Sequence, residues 1–288
     1  MKILILQSNG LNEKNRHFKE CFNFKRSFDR LGVESFIWGP GHELYSQNFT
    51  DVVNNCDIIL LLENYGWSKW LPDLSKINKL KLFWSEDSHI NSVLNDHINL
   101  VRNHKIDIVL NAIEEHQTYF NFTKTEYLPY ALSSDNIHPI ESVKKEHFLV
   151  FCGSLLPNRV IILNKLQQLY NIKRDIFVIG NDMVNTINSY KVHFNLTLSP
   201  IAMNFRVFET MGCNTLILTN ETNDYKKLFK DMDDSVSYKN ESELLYKIHL
   251  LMENENLIYQ IAKRGYEKVI TNHTYDIRAK QLINIFES

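Results

Sequence analysis

Cysteine is scarce in this sequence. Cys21, Cys56, Cys152 and Cys213 are the four in 288 residues, they lie far apart, and no C-x-x-C pair occurs. Zinc ribbons and thioredoxin-type chemistry are therefore excluded, and thiols beside apolar runs read as buried core. No apolar stretch approaches the ~18 residues a membrane span needs. An excess of charge is missing too: 32 Lys and Arg against 34 Asp and Glu leave a net charge of −2. Nothing in that total points to a nucleic-acid coat or an anionic membrane. The first ten residues, MKILILQSNG, are too short for a secretory signal, so a cytoplasmic chain is expected. With no such signal, N-x-S/T triplets such as Asn195-Leu196-Thr197 read as composition rather than glycan sites.

What is present is an alternation. Short apolar runs at 2–6, 34–38, 57–63, 81–85, 106–111 and 125–131 are separated mostly by helical patterns, among them 12–31, 89–103 and 114–122. Strands apolar throughout, with helices between, predict a parallel sheet covered on both faces. Residues 132–146 are polar, aperiodic and contain Pro139, which predicts a linker. A second alternation follows, with strands at 147–153, 174–180, 191–198, 215–219 and 235–238 and helices at 157–170, 182–190 and 204–212. Three helices at 241–253, 255–270 and 274–286 close the chain. The expected fold is α/β: two doubly wound Rossmann-like domains, 1–131 and 147–270, facing a cleft. A C-terminal helix in 271–288 would cross back to the first domain. Ligands of such sheets bind outside the carboxyl ends of the strands.

The stretch HFNLTLSPIAMNFRVFETMGCNTLILTN, 193–220, holds the densest chemistry. On a helix capped by Asn204, Phe205, Phe208 and Met211 share one face, while Arg206 and Glu209, three apart, share another. A helix N-terminus at a sheet's carboxyl edge suits a phosphate, Arg206 adds a bidentate cation, and Glu209 can accept hydroxyls of a ribose. Taken alone, the same pair also reads as a surface ion pair worth ~0.3 kcal/mol. The segment NFRVFETMGCNTLILT resembles the R-x-x-E-x-M-x-x-G region of sugar-nucleotide glycosyltransferases with the two-domain GT-B fold, nearest to the CgeB-like, spore-maturation branch of group 1. The likeness runs from FCGSLLPNRVIILNKL through I-A-x-x-G to H-T-Y-x-x-R, about 147–285, and is loose over 1–131.

The resemblance implies a transferase that takes a nucleotide-sugar donor, a UDP-sugar first of all, with no further cofactor and no metal. It places Gly153, Ser154 and Arg159 near the donor phosphates; the plain alternative is a tight turn with a solvated arginine. Gly180 and Asn181, after the next strand, would face the base or simply form a strand-to-helix turn. In the first domain LFWSEDSH, 82–89, puts carboxylates at a strand end. Asp87 or Glu86 would be the general base of an inverting reaction, or Asp87 or Ser88 a helix cap. His17 is a weaker candidate base that also reads as a surface histidine of a helix, and the D-x-D within DMDD, 231–234, a metal-binding motif in the other glycosyltransferase fold, reads here as a solvated turn. The acceptor expected is a glycan or protein hydroxyl, with a modified base of phage DNA as a further candidate. Lys14, Arg16, Lys19, Lys25, Arg26 and Arg30 form a basic cluster that also reads as a solvated helix face. A two-lobed protein that holds nucleotide or sugar without transferring it is the contrasting class.

Overall fold

The computed structural model describes residues 1–64 and 66–287, without the side chain of residue 68. It divides into two compact units: Met1–Tyr130 joined by the segment from Tyr275, and Ala131–Thr274. Residues 131–146 therefore fold with the second unit. Lys145 anchors them there, its Nζ donating to the carbonyls of Asn188 and Cys213 and, at 2.6 Å, to Thr215 Oγ1.

In the first unit, strands β1 (Lys2–Leu6), β2 (Glu34–Trp38), β3 (Ile58–Leu62), β4 (Leu80–Ser85), β5 (Ile108–Asn111) and β6 (Lys124–Tyr127) form one sheet in the order β2-β1-β3-β4-β5-β6. Every pairing is parallel. β3, shorter by one residue at each end than the strand read over 57–63, is buried at all five positions, as a strand covered on both faces must be. Helices α1 (Glu20–Arg30), α2 (Phe49–Asn54) and α3 (Asn91–His104) supply the covering layers. The predicted helix over 12–31 is broken: Glu13–Phe18 is a separate 3₁₀ turn capped by Asn12. The segment predicted as a helix over 114–122 is likewise a 3₁₀ turn, Glu114–Phe120. α2 had no prediction.

The second unit holds β7 (His147–Cys152), α4 (Pro157–Tyr170), β8 (Lys173–Asp175), α5 (Gly180–Asn188), β9 (Tyr190–Asn195), α6 (Phe205–Gly212), β10 (Leu216–Asn220), α7 (Asn223–Leu228), β11 (Val236–Tyr238), α8 (Glu241–Glu253) and α9 (Glu255–Asn272). Its parallel sheet runs β11-β10-β9-β7-β8. Pro157 opens α4 at its first position, where its fixed φ and missing N–H cost nothing. The strand expected over 174–180 stops at Asp175. Phe177 then takes φ +57, which a strand forbids, and Gly180 at φ +61 starts the next helix.

The last helix, α10 (Tyr275–Glu287), belongs to the first unit. Tyr275 sets its ring edge-on to Phe24 at 5.1 Å, and Asp276 pairs with Arg30 at 2.5 Å. Arg278 is buried and donates to the carbonyls of Pro129 and Tyr130 at 2.8 and 3.0 Å. The H-T-Y-x-x-R run thus does structural work in both units, since His273 packs against the rings of Phe208 and Phe229. Among the described residues no helix is long and apolar enough to cross a membrane.

Both sheets share one connection logic. The strand order reverses once in each, between β1 and β3 in the first and between β7 and β9 in the second. Crossovers leave to opposite sides at such a point, which opens a crevice at the strands' carboxyl ends. These two crevices are where polar groups gather.

Candidate functional site

A cavity of about 280 Å³ lies at the second reversal point. Its walls come from the end of β7 (Phe151, Cys152, Gly153, Ser154), the end of β9 (Asn195), the start of α6 (Asn204, Phe205, Arg206, Glu209) and Arg159 of α4. Seven of the predicted residues therefore meet in one place. Gly180 and Asn181 are not among its lining residues, and Asp87 belongs to the other unit.

Local structure explains the arrangement. Asn204 sits at the cap position of α6 in an extended conformation, but its side chain does not cap. It exchanges hydrogen bonds with Asn195 across 3.3 Å, which corrects the expected capping role. The start of α6 thus carries no side-chain cap, and the positive end of the helix faces the cavity. Arg206 and Glu209, one turn apart, pair at 2.8 Å, and each side chain keeps 19% of its surface. They form neither a solvated surface pair nor a sealed one. Burial works to lower the Arg206 guanidinium, yet Glu209, followed by the thiols of Cys152 and Cys213, holds it above the ordinary arginine value.

Arg159 is fixed from behind. Its Nε donates to the Leu196 carbonyl at 3.0 Å and a terminal nitrogen donates to the Ser154 carbonyl at 3.1 Å. Burial, then the positive field of Arg206, pushes its pKa down. Two guanidiniums close enough to repel each other, with a single carboxylate paired to one of them, make a cavity that gains from an anion. The Gly153 N–H is spent on the Asp175 carbonyl at 3.1 Å, so this residue offers space rather than a donor. A Cβ there would lie 3.3 Å from the Phe151 ring and 3.8 Å from the Arg159 guanidinium.

The first unit's reversal point is acidic. Glu63, just past β3, accepts the N–H groups of Glu86 at 2.6 Å and Asp87 at 2.8 Å on one carboxylate oxygen. His97 of α3 lies 3.4 Å from that oxygen, and its other ring nitrogen meets Ser85 Oγ at 2.8 Å. Gln7, past β1, donates to Glu20 and to the Glu63 carbonyl. Burial, then the charges of Glu20, Glu63 and Asp87, raise the Glu86 acid well above the usual carboxylate range. Asp87 is half-buried beside it. The expected capping by Asp87 or Ser88 gives way to a helix that starts at Asn91 with no side-chain cap. Ser88 instead bonds His116 at 2.8 Å.

The Glu86 shift has a consequence for stability. A folded-state pKa above the unfolded value means the folded chain holds a proton that the unfolded chain has released. Stability from this group therefore falls as pH rises from about 4.5 toward the folded value. Glu86→Gln keeps the shape and removes the titration. We expect its melting temperature to exceed wild type at neutral pH. The gain should vanish near pH 4.5. Calorimetry at the two pH values checks this, and an equal shift at both contradicts it.

Sequence reading missed Asn195, Glu63, Glu20 and Gln7. Asn195 had a readable signal, a polar residue closing an apolar strand; the carboxylates and the glutamine had none. The D-x-D turn is tied down internally, Asp231 by Lys247 at 2.6 Å, Asp233 by Arg264 at 3.1 Å and Asp234 by Lys268 at 2.5 Å. The basic cluster is also largely engaged: Lys25 pairs with Asp29, Arg30 with Asp276, and Arg26 donates to Asn23 and the His17 carbonyl.

Two parallel sheets of this order, with a cationic cavity at the reversal point of the second, define the GT-B class of glycosyltransferases. The chain belongs to the glycosyl transferase-like family, whose model matches residues 137–284, just over half of its length. No curated protein sequence matches it. Solved structures that share the fold include sucrose-phosphate synthase of Thermosynechococcus elongatus, at TM-score 0.67 and 10% identity over 99% of this chain and 98% of that one. Anabaena HepE in complex with UDP-glucose aligns at TM-score 0.67 and 12% identity, over 100% and 99% of the two chains. An alpha-glucosyltransferase in complex with UDP and DNA containing an HMU base aligns at TM-score 0.69 and 12% identity, over 100% of each.

Proposed function

We propose that the chain transfers a sugar from a UDP-sugar to an acceptor hydroxyl, and that the second unit's cavity holds the donor. The observation that carries this reading is that Arg159 of α4 and Arg206 of α6 line one cavity, with the start of α6 lacking a side-chain cap. The diphosphate would lie against the two guanidiniums and the α6 N–H groups, which stabilise the charge that grows as it leaves. Neutralised in this way, it needs no bound metal. Glu209 would accept the ribose hydroxyls, and Gly180 and Asn181 would meet the base. The choice of uridine follows from the UDP and UDP-glucose held by fold neighbours rather than from a contact in this chain. The CgeB-like branch remains the family reading of residues 147–285.

Asp87 is proposed as the base toward the acceptor in an inverting reaction, with Glu63 orienting its backbone. For the acceptor we favour a glycan or protein hydroxyl. A DNA-containing fold neighbour keeps a modified phage base in view. Against it, the cations of 12–30 are mostly engaged within the first unit.

The test is a thermal-shift screen of nucleoside diphosphates, then incubation with UDP-sugars and assay of released UDP. At a hundred times its Kd, the true ligand should add about 2.7 kcal/mol of stability. UDP should give the largest shift, and UDP-glucose or a related hexose donor should be slowly hydrolysed. A protein stabilised by no nucleoside diphosphate would refute the donor site. One that binds but never releases UDP would be the two-lobed binder.

A further inference from the structure

His193 of β9 and Thr210 of α6 are both fully buried. β7 pairs with β9 as far as Val150 opposite His193. Two residues on, the Cys152 N–H donates to Nε2 of the His193 ring at 3.2 Å. A backbone N–H can only donate, so Nε2 accepts, and a neutral imidazole then carries its one proton on Nδ1. Nδ1 meets Thr210 Oγ1 at 2.6 Å. Burial, then the positive field of Arg206, pushes the imidazole pKa well below its ordinary value, which keeps the ring neutral and in this tautomer. One side chain of β9 thus joins the end of β7 to α6. Both joined elements serve the cavity's cations. The Ser154 carbonyl, two residues past Cys152, accepts the Arg159 guanidinium at 3.1 Å. The Leu196 carbonyl, three residues past His193, accepts the Arg159 Nε at 3.0 Å. α6 carries Arg206 one turn before Thr210. The spacing of the two guanidiniums therefore depends on how α6 is held against the ends of β7 and β9. Such supports matter, because a displacement of about 1 Å that starts far from the reacting atoms can cost about 10²-fold in rate.

We propose that His193 is a positioning residue of the donor site, a two-ended hydrogen-bond clamp between the Cys152 N–H and the Thr210 hydroxyl that fixes Arg206 relative to Arg159. The inference rests on the reading of this cavity as the donor site. His193 touches neither donor nor acceptor and acts only through the elements it ties together.

Two substitutions on the partner of the ring test this in the intact chain. Thr210→Val keeps the shape and deletes the acceptor, whereas Thr210→Ser keeps the hydroxyl and deletes a methyl group. Calorimetric titration with UDP and release of UDP from saturating UDP-glucose are measured well below each melting temperature. Thr210→Val should weaken UDP and slow its release about 5–10-fold each, the loss of one hydrogen bond, while Thr210→Ser stays within about twofold of wild type on both. Ile248→Val, a buried position of α8 outside the cavity lining, should lower the melting temperature and leave UDP affinity unchanged. Should Thr210→Val fail to fold, the wild type still decides. In protein labelled with ¹⁵N-histidine, the His193 ring, identified by its shift in Thr210→Ser, should be protonated at Nδ1 only and should move when UDP is added. UDP bound and released alike by wild type and Thr210→Val, equal losses in the valine and serine variants, or a His193 ring protonated at Nε2 would overturn the clamp and leave the donor site standing. A wild type that binds no UDP would refute the donor reading, and the role of His193 with it.

Discussion

Replacing Arg206 by alanine should lower kcat/KM for the UDP-sugar by about 10²–10³-fold, the loss found when one preorganised donor to a developing negative charge is removed. The argument is geometric. Arg206 lines the cavity at the carboxyl edge and is held by Glu209 at 2.8 Å, with Arg159 adding a second cation to the same lining. Charge on the leaving diphosphate grows toward the transition state, so kcat should fall more than KM rises. Arg206→Lys should recover only part of the loss, because an ammonium cannot reproduce the two-pronged guanidinium contact. Deleting Arg206 also leaves the half-buried Glu209 carboxylate unpaired, which costs about 1–3 kcal/mol of stability. Activity must therefore be compared well below the variant's melting temperature. Pairing with Arg159→Ala separates the roles: two cations that share one diphosphate should give a double variant less impaired than the product of the singles. Turnover within about threefold of wild type in Arg206→Ala would remove this residue from the chemistry.

Gly265→Ala should cost about 2–3 kcal/mol and lower the melting temperature by about 5–10 °C. In the middle of α9 an added methyl ought to help, since alanine exceeds glycine by about 1 kcal/mol in a helix interior. The surroundings reverse that sign. A Cβ on Gly265 would collide with the backbone carbonyl of Asp234 and lie 2.9 Å from Cε of Met211. The methionine end can swing aside. The Asp234 carbonyl cannot, because its residue is pinned by Lys268 and by the amide of Lys230 at 2.8 Å. α9 would have to lift from the turn at Asp234, and so disturb its packing on α6, the helix that carries Arg206. Thermal unfolding measures the loss, and UDP titration at low temperature should report weaker binding as α6 shifts. A melting temperature that rises by a few degrees would mean that propensity prevails and the helices yield.

That glycine illustrates how far the sequence could be read. I-A-x-x-G was legible as a family likeness, and Arg206 with Glu209 as a pair on one helical face. Their meeting with Arg159 in one cavity was an expectation that rested on resemblance. The break at Lys19 between a 3₁₀ turn and α1 was hidden, because Phe18, Cys21 and Phe22 keep roughly helical spacing across it. The early end of β8 was hidden as well: Ile176 to Ile179 read as strand, while the backbone turns at Phe177 with a positive φ that no pattern of hydropathy encodes.

By itself the sequence determined that this chain makes two parallel α/β sheets, and that one helix of the second sheet brings an arginine and a carboxylate to its carboxyl edge. Those features follow from local periodicity, which a single strand or helix carries in its own residues. The tertiary structure decided which strands are neighbours, and hence where the order reverses. That choice alone unites Gly153 with Asn195, and Gln7 with Glu63, across gaps of some forty to sixty residues, because strand adjacency is set by how the crossover helices pack and not by any residue's own pattern.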